Sequence, residues 1–346
     1  MRVVKAFCLH ILFVCCAFTH TFSSSKEPDL FVVGRKYIYG RDHDYSYLWK
    51  SGHVESISED AKNVWIRGIT VYKKNVYLIG LKDGIETVWI NGIPEKITED
   101  TPDTGQLVDI FANESGVYVL KSALHKLYYY RNGKKTVVTD TGHGKMFHAQ
   151  GIHVSEDDVF ITAWLDPNMP KFSPATYKNA EYTVLLKNGD EFPLEEPGSA
   201  WIKSSGMLFL GDDSYLAGTN SRHTLRGRYI YTPVFWKNGK KSVLTSKFKS
   251  AKATALAVED NTVYIAGSGY RDDHPKNPTA LLWINGIEHV LSSGEAAAIK
   301  VIGGNIYIAG FQVDDNKYKI KFWKNGTELE LPNMLTDFIP EYFFIN

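Results

Sequence analysis

Apolar and polar positions alternate along this chain in short runs, and the runs recur in a fixed order. One run reads aromatic-apolar-apolar-Gly: Phe31-Val32-Val33-Gly34, Tyr77-Leu78-Ile79-Gly80, Tyr215-Leu216-Ala217-Gly218, Tyr264-Ile265-Ala266-Gly267 and Tyr307-Ile308-Ala309-Gly310. Tyr118-Val119-Leu120-Lys121 and Phe160-Ile161-Thr162-Ala163 are divergent copies. A second run ends apolar-aromatic-x-Asn-Gly, clearest at Phe235-Trp236-Lys237-Asn238-Gly239, with further copies ending at Gly52, Gly92, Gly133, Gly189, Gly286 and Gly326. Three residues before these glycines stand Trp49, Trp89, Tyr130, Leu186, Trp236, Trp283 and Trp323. Period-two alternation over so few residues predicts β-strands, and nowhere does a helical period persist.

Asn-Gly between two apolar runs predicts a two-residue hairpin, because a type I′ turn needs φ > 0 at both central residues. Ser51 takes the Asn place in the first copy. Most aromatic-apolar-apolar-Gly runs have another strand just upstream across a short polar turn, and a further short strand follows each Asn-Gly. Each unit is therefore four antiparallel strands, A to D. In the sixth unit A lies near 253–259, B near 262–267, C near 279–284 and D near 287–291. Successive turn glycines are 40, 41, 56, 50, 47 and 40 residues apart. Four short strands at this period predict an all-β, seven-bladed β-propeller. Residues 29–34 align with a B strand, and no B strand follows residues 338–345. The C-terminus is thus expected to supply strand A of the first blade and close the ring, removing a sheet edge. The alternative makes the first blade wholly from the N-terminus, with Leu30–Gly34 and Tyr37–Gly40 as its A and B strands. The repeated tryptophans read as core, and the small residues of the A strands, such as Ala253, Ala255 and Gly206, read as crowding near the axis.

Composition adjusts this picture in three ways. Lys+Arg and Asp+Glu both number 39, which argues against nucleic acid as a partner and against electrostatic membrane attachment. Residues 1–25 read as a secretory signal: Arg2 and Lys5 precede an apolar stretch from Ala6 to Phe18, too short to span a bilayer easily. The expected domain plan is a signal peptide over 1–25 and one propeller over 26–346, secreted and extracellular, monomeric, with no membrane anchor. All three cysteines, Cys8, Cys15 and Cys16, lie in the signal stretch, so the mature chain has no thiol for nucleophilic catalysis or for cysteine-ligated metal.

Candidate chemistry concentrates in the B-to-C loops, which share one face with the D-to-A loops. From the end of each B run to the position three before the turn glycine, the spacing is 15, 9, 9, 23, 18, 16 and 13 residues. The C-to-D turns are uniform by contrast, and variation confined to one face marks the binding face. Candidate ligand-binding residues there are His43, His143, His148, Trp164, Arg222, His223, Arg228, Arg271, Asp272 and His274. No H-E-x-x-H, G-x-S-x-G, phosphate-cradling loop or EF-hand spacing is present, so no catalytic residue, metal ligand or cofactor is assigned. Asp157-Asp158, Asp212-Asp213 and Asp314-Asp315 read as solvated turns. The sequons Asn113-Glu114-Ser115 and Asn325-Gly326-Thr327 are candidate glycosylation sites on the opposite face.

The combination of Y-I-A-G, a variable loop, and L-W-I-N-G or F-W-K-N-G resembles the repeats of secreted W-K-N-G propeller proteins over essentially the whole mature chain. The resemblance implies a seven-bladed ring and brings no catalytic residues with it. Units 3 and 4 depart most, with Tyr130 and Leu186 in place of Trp and Lys121 and Ala163 in place of Gly. The leading expectation is a secreted, non-enzymatic binding propeller that recognises a glycan or protein through the B-to-C loop face. The alternatives are an extracellular hydrolase or metal-dependent enzyme with its site at the channel mouth, and a structural extracellular-matrix protein.

Overall fold

A computed structural model describes residues 27–36, 45–57, 63–95, 105–123, 125–140, 146–166, 182–194, 202–223, 229–271, 277–315, 317–331 and 338–346. The signal stretch lies outside these residues. The strands form seven four-stranded antiparallel sheets, the blades of a seven-bladed β-propeller. In chain order, β1 (Leu30–Lys36), β2 (Tyr45–Lys50) and β3 (His53–Ser56) belong to blade 1, and β4 (Val64–Tyr72), β5 (Asn75–Lys82), β6 (Ile85–Ile90) and β7 (Ile93–Glu95) form blade 2. Blade 3 is β8 (Gln106–Asn113), β9 (Gly116–Ala123), β10 (Lys126–Arg131) and β11 (Lys134–Asp140); blade 4 is β12 (Met146–Ser155), β13 (Asp158–Asp166), β14 (Tyr182–Lys187) and β15 (Asp190–Pro193). Blade 5 is β16 (Ile202–Leu210), β17 (Asp213–His223), β18 (Tyr229–Lys237) and β19 (Lys240–Val243); blade 6 is β20 (Ser250–Glu259), β21 (Thr262–Tyr270), β22 (Thr279–Ile284) and β23 (Ile287–Ser293). Blade 7 is β24 (Glu295–Ile302), β25 (Asn305–Asp314), β26 (Lys317–Lys324) and β27 (Thr327–Leu329), after which β28 (Phe338–Ile345) returns to blade 1.

The ring closes as expected. β28 pairs antiparallel with β1, from Leu30↔Ile345 to Lys36↔Phe338, and the first blade has the order β28-β1-β2-β3. All seven C-to-D turns have positive φ at both central residues, from Ser51 and Gly52 in blade 1 to Asn325 and Gly326 in blade 7. That is type I′ geometry. The Asn does a second job that the pattern alone does not announce. Its side-chain oxygen accepts from the backbone N–H of a B-strand residue whose carbonyl accepts from the Asn's own N–H, as in Asn285 with Val263, both at 2.9 Å.

Seven hydrophobic clusters occupy the seven seams between neighbouring blades. Five of the seven each hold one repeated tryptophan: Trp49, Trp89, Trp236, Trp283 and Trp323 are all almost fully buried. Three of them tie their indole N–H back to the preceding blade. Trp236 Nε1 donates to Leu194 O, Trp283 Nε1 to Thr245 O, and Trp323 Nε1 to Ser292 Oγ. In these three the large apolar body fills a seam while its one polar atom finds a partner across it.

Every A strand carries a one-residue register slip at the same place, between Ile66 and Gly68 in blade 2 and at the matching position in the other six. These are β-bulges, which bend the innermost strands where they converge on the axis. The bulge explains the glycine that ends the B run. A Cβ on Gly80 would overlap the Trp65 carbonyl oxygen across the bulge. In blade 3 the position is Lys121, a buried side chain paired at 2.5 Å with Glu86 Oε2 of blade 2. Glu86 Oε1 also accepts from Leu107 N at 3.1 Å, so this departure from the repeat stitches two blades together.

Candidate binding face and channel cavity

Because A and C strands run one way and B and D the other, the B-to-C and D-to-A connections emerge on one face of the disc. Two predicted site residues meet there. His148 on β12 and Trp164 on β13 are direct cross-strand partners, with ring centroids 4.6 Å apart and planes at 36°. His148 is exposed and Trp164 half-buried, at the start of the longest B-to-C connection. A cavity of about 450 Å³ adjoins His148, lined in part by Gln106 and Ser122 of blade 3 and by His148 of blade 4. Arg222 near the end of β17 and Arg271 just after β21 are exposed on the same face of blades 5 and 6. Between those blades Lys252 Nζ lies 4.4 Å from the Tyr231 ring centroid and 5.1 Å from that of Tyr270. His223 ends β17, opposite Tyr229. His43, His143, Arg228, Asp272 and His274 lie outside the described residues.

The sequons map to the opposite face. Asn113 Oδ1 accepts from Ser115 N at 2.9 Å and Ser115 Oγ at 2.6 Å, an Asx turn at the A-to-B corner. Asn325 lies in a C-to-D turn, its Oδ1 bonded by Ile306 N and its Nδ2 donating to Asn305 Oδ1. Two of the acid pairs also form turns: Asp158 binds Lys187 and Asn188, and Asp213 binds Asn238 and Lys237, contacts that hold both carboxyls below the usual range. Among the described residues no group of three or more His, Cys, Asp or Glu side chains is placed to hold a metal ion.

Sequence patterning gives no warning of a second concavity. Residues of blades 1 to 5 enclose a cavity of about 500 Å³, walled by Arg67, Asp109, Gln150, His153, Thr162 and Tyr342 among others. Asp109 comes directly after the β8 bulge. Its Oδ1 accepts from Ile110 N at 2.8 Å and its Oδ2 from Ile152 N of blade 4 at 3.0 Å. It keeps some surface toward the cavity, yet protein surrounds it closely enough that burial pushes its carboxyl up to about 6 against those two lowering bonds. His153 packs on Phe111, centroids 4.7 Å apart, and burial holds its imidazole down to about 4. Arg67 Nη1 donates to Gln106 Oε1 at 3.2 Å, joining the cavity to the loop face. The signal for this site in the sequence is one carboxylate inside an apolar strand, Leu107-Val108-Asp109-Ile110-Phe111.

No protein-family model matches the chain, and no curated protein matches its sequence. Among solved structures it is similar to a mutant Synechocystis apocarotenoid oxygenase, at 8% identity, covering 91% of this chain and 93% of that chain with a TM-score of 0.50. It is also similar to TolB from Acinetobacter baumannii, at 10% identity over 88% of this chain and 64% of that chain, with a TM-score of 0.45. At such identity the first likeness speaks for the fold alone, and the second is too distant to add to it. The class defined by these observations is the seven-bladed β-propeller, closed by its C-terminal strand.

Proposed function

We propose that this protein is a secreted, non-enzymatic binding propeller that recognises an extracellular glycan or protein through its B-to-C loop face. The observation that carries the reading is the cross-strand pair of His148 and Trp164, of which His148 lines an open cavity on that face. An aromatic body flanked by a polar ring and a concavity suits the C–H face of a sugar or an apolar side chain of a partner. The C-to-D turns of the other face are uniform, and glycans at Asn113 and Asn325 would cover it.

A glycan array combined with capture of labelled extracellular proteins tests the reading. Trp164→Ala is expected to weaken binding by tenfold or more, about 1.4 kcal/mol, with the melting temperature nearly unchanged. Binding that survives Trp164→Ala and His148→Ala together would overturn it. A second reading, an extracellular hydrolase working from the channel, draws support from the raised Asp109 carboxyl. Turnover of a glycoside or ester substrate that Asp109→Asn abolishes would favour it over the first.

A further inference from the structure

We infer that the channel cavity walled by blades 1 to 5 is a binding pocket for a neutral, polyhydroxylated ligand of monosaccharide size. This goes beyond the loop-face reading and does not depend on it. Its volume, about 500 Å³, lies within the range of small-molecule sites. Thr162 is one of its lining residues, and the buried Thr162 hydroxyl has no hydrogen-bond partner among the described residues. A buried hydroxyl left unpaired is costly, so a ligand group that satisfies it is favoured.

That hydroxyl and the Asp109 carboxylate both lie beside Gly151. A Cβ at residue 151 would lie 3.3 Å from Asp109 Oδ2 and 3.5 Å from Thr162 Oγ1, so both oxygens border the same open side of the glycine. Each Asp109 oxygen already holds one backbone N–H, which fixes the carboxylate and leaves it acceptor capacity for a further donor. Arg67 and Asp109, on the neighbouring strands β4 and β8, offset in charge, which disfavours a net ion as occupant. Hydroxyl donors paired to the carboxylate, with the ring carbons against the Phe111–His153 pair, match what a sugar presents.

The test is titration of the purified full chain with glucose, galactose, mannose and N-acetylglucosamine, followed by calorimetry and ligand-detected NMR. At least one sugar is expected to bind, and Gly151→Ala is expected to weaken it by about tenfold or more by placing a methyl between the two oxygens. Thr162→Val is expected to weaken binding likewise while leaving the ligand-free melting temperature level or higher, since it removes an unpaired polar atom. A purely structural threonine would instead lower that temperature without affecting the sugar. Should Gly151→Ala fail to fold, the Thr162→Val comparison decides alone. No binding by any of the four sugars, or binding indifferent to both variants, overturns the inference. Binding lost with Trp164→Ala but kept by both channel variants also overturns it and leaves the loop-face reading standing.

Discussion

Asn238 holds both backbone polar groups of Ser214: Asn238 N donates to Ser214 O at 2.9 Å, and Asn238 Oδ1 accepts from Ser214 N at 2.8 Å. Its Nδ2 then donates to Asp213 Oδ1 at 2.7 Å. One turn residue thus ties strand C's end to the start of strand B. Ser51 does the same for Leu30 with a hydroxyl, at 3.1 Å. Asn238→Gly keeps the positive φ of 52° easy while deleting the side-chain bond. It should cost about 1 kcal/mol in urea unfolding, and Asn238→Ser should cost less.

Two glycines of the repeat are needed for different reasons, and alanine at each should separate them. Gly239 has φ +74°, and a Cβ added there would meet nothing within 4 Å, so Gly239→Ala is expected to cost about 1 kcal/mol through backbone strain alone. A Cβ on Gly80 would collide with the Trp65 carbonyl oxygen, so Gly80→Ala must open the bulge and should cost about 1–3 kcal/mol more. Equal midpoint shifts in denaturant would contradict this assignment.

The C-terminal strand is the latch of the ring. Phe338 is 1% exposed and Ile345 4%, and both sit in the seam cluster of blades 7 and 1. Phe338→Ala is expected to cost about 3–5 kcal/mol. Removing residues 336–346 should abolish the cooperative thermal transition, because it strips the inner edge of β1 of its partner and opens the ring; a truncated chain that melts like the intact one would refute the latch.

Asp109 and His153 face one cavity and respond to pH in opposite senses. Native Asp109 holds its proton up to about pH 6, so its contribution to stability is full below the ordinary value of 3.8 and is lost as pH rises to about 6. Native His153 resists its proton down to about 4, so its contribution is full above 6.5 and is lost as pH falls toward 4. Arg67 and Tyr342 are the other charged or titratable groups on that wall among the described residues. Between pH 4 and 6 the two slopes offset in the wild type. Asp109→Asn should make stability rise more steeply with pH over that window, and His153→Phe should make it fall, each by about 1–3 kcal/mol across it. Urea titrations at pH 4.5, 5.5 and 6.5 read both slopes directly.

The number of blades, the four strands in each, the type I′ turns and the closing strand all follow from sequence. These features rest on local rules: period two for strands, Asn-Gly for the hairpin, and a count of units that left a B strand without its A. The burial of Trp49, Trp89, Trp236, Trp283 and Trp323 follows as well, since a repeated aromatic at one phase has one seam to fill. The pairing of His148 with Trp164 was legible only as membership of one face; the β12–β13 register made them neighbours. Asp109 and Thr162 were not legible as a site at all. Which A-strand side chain meets the cavity depends on a one-residue bulge and on the neighbouring blade's Gly151, contacts between residues of different blades. Periodicity sees along a strand, whereas the channel is built across blades, and only the closed ring brings those side chains to one point.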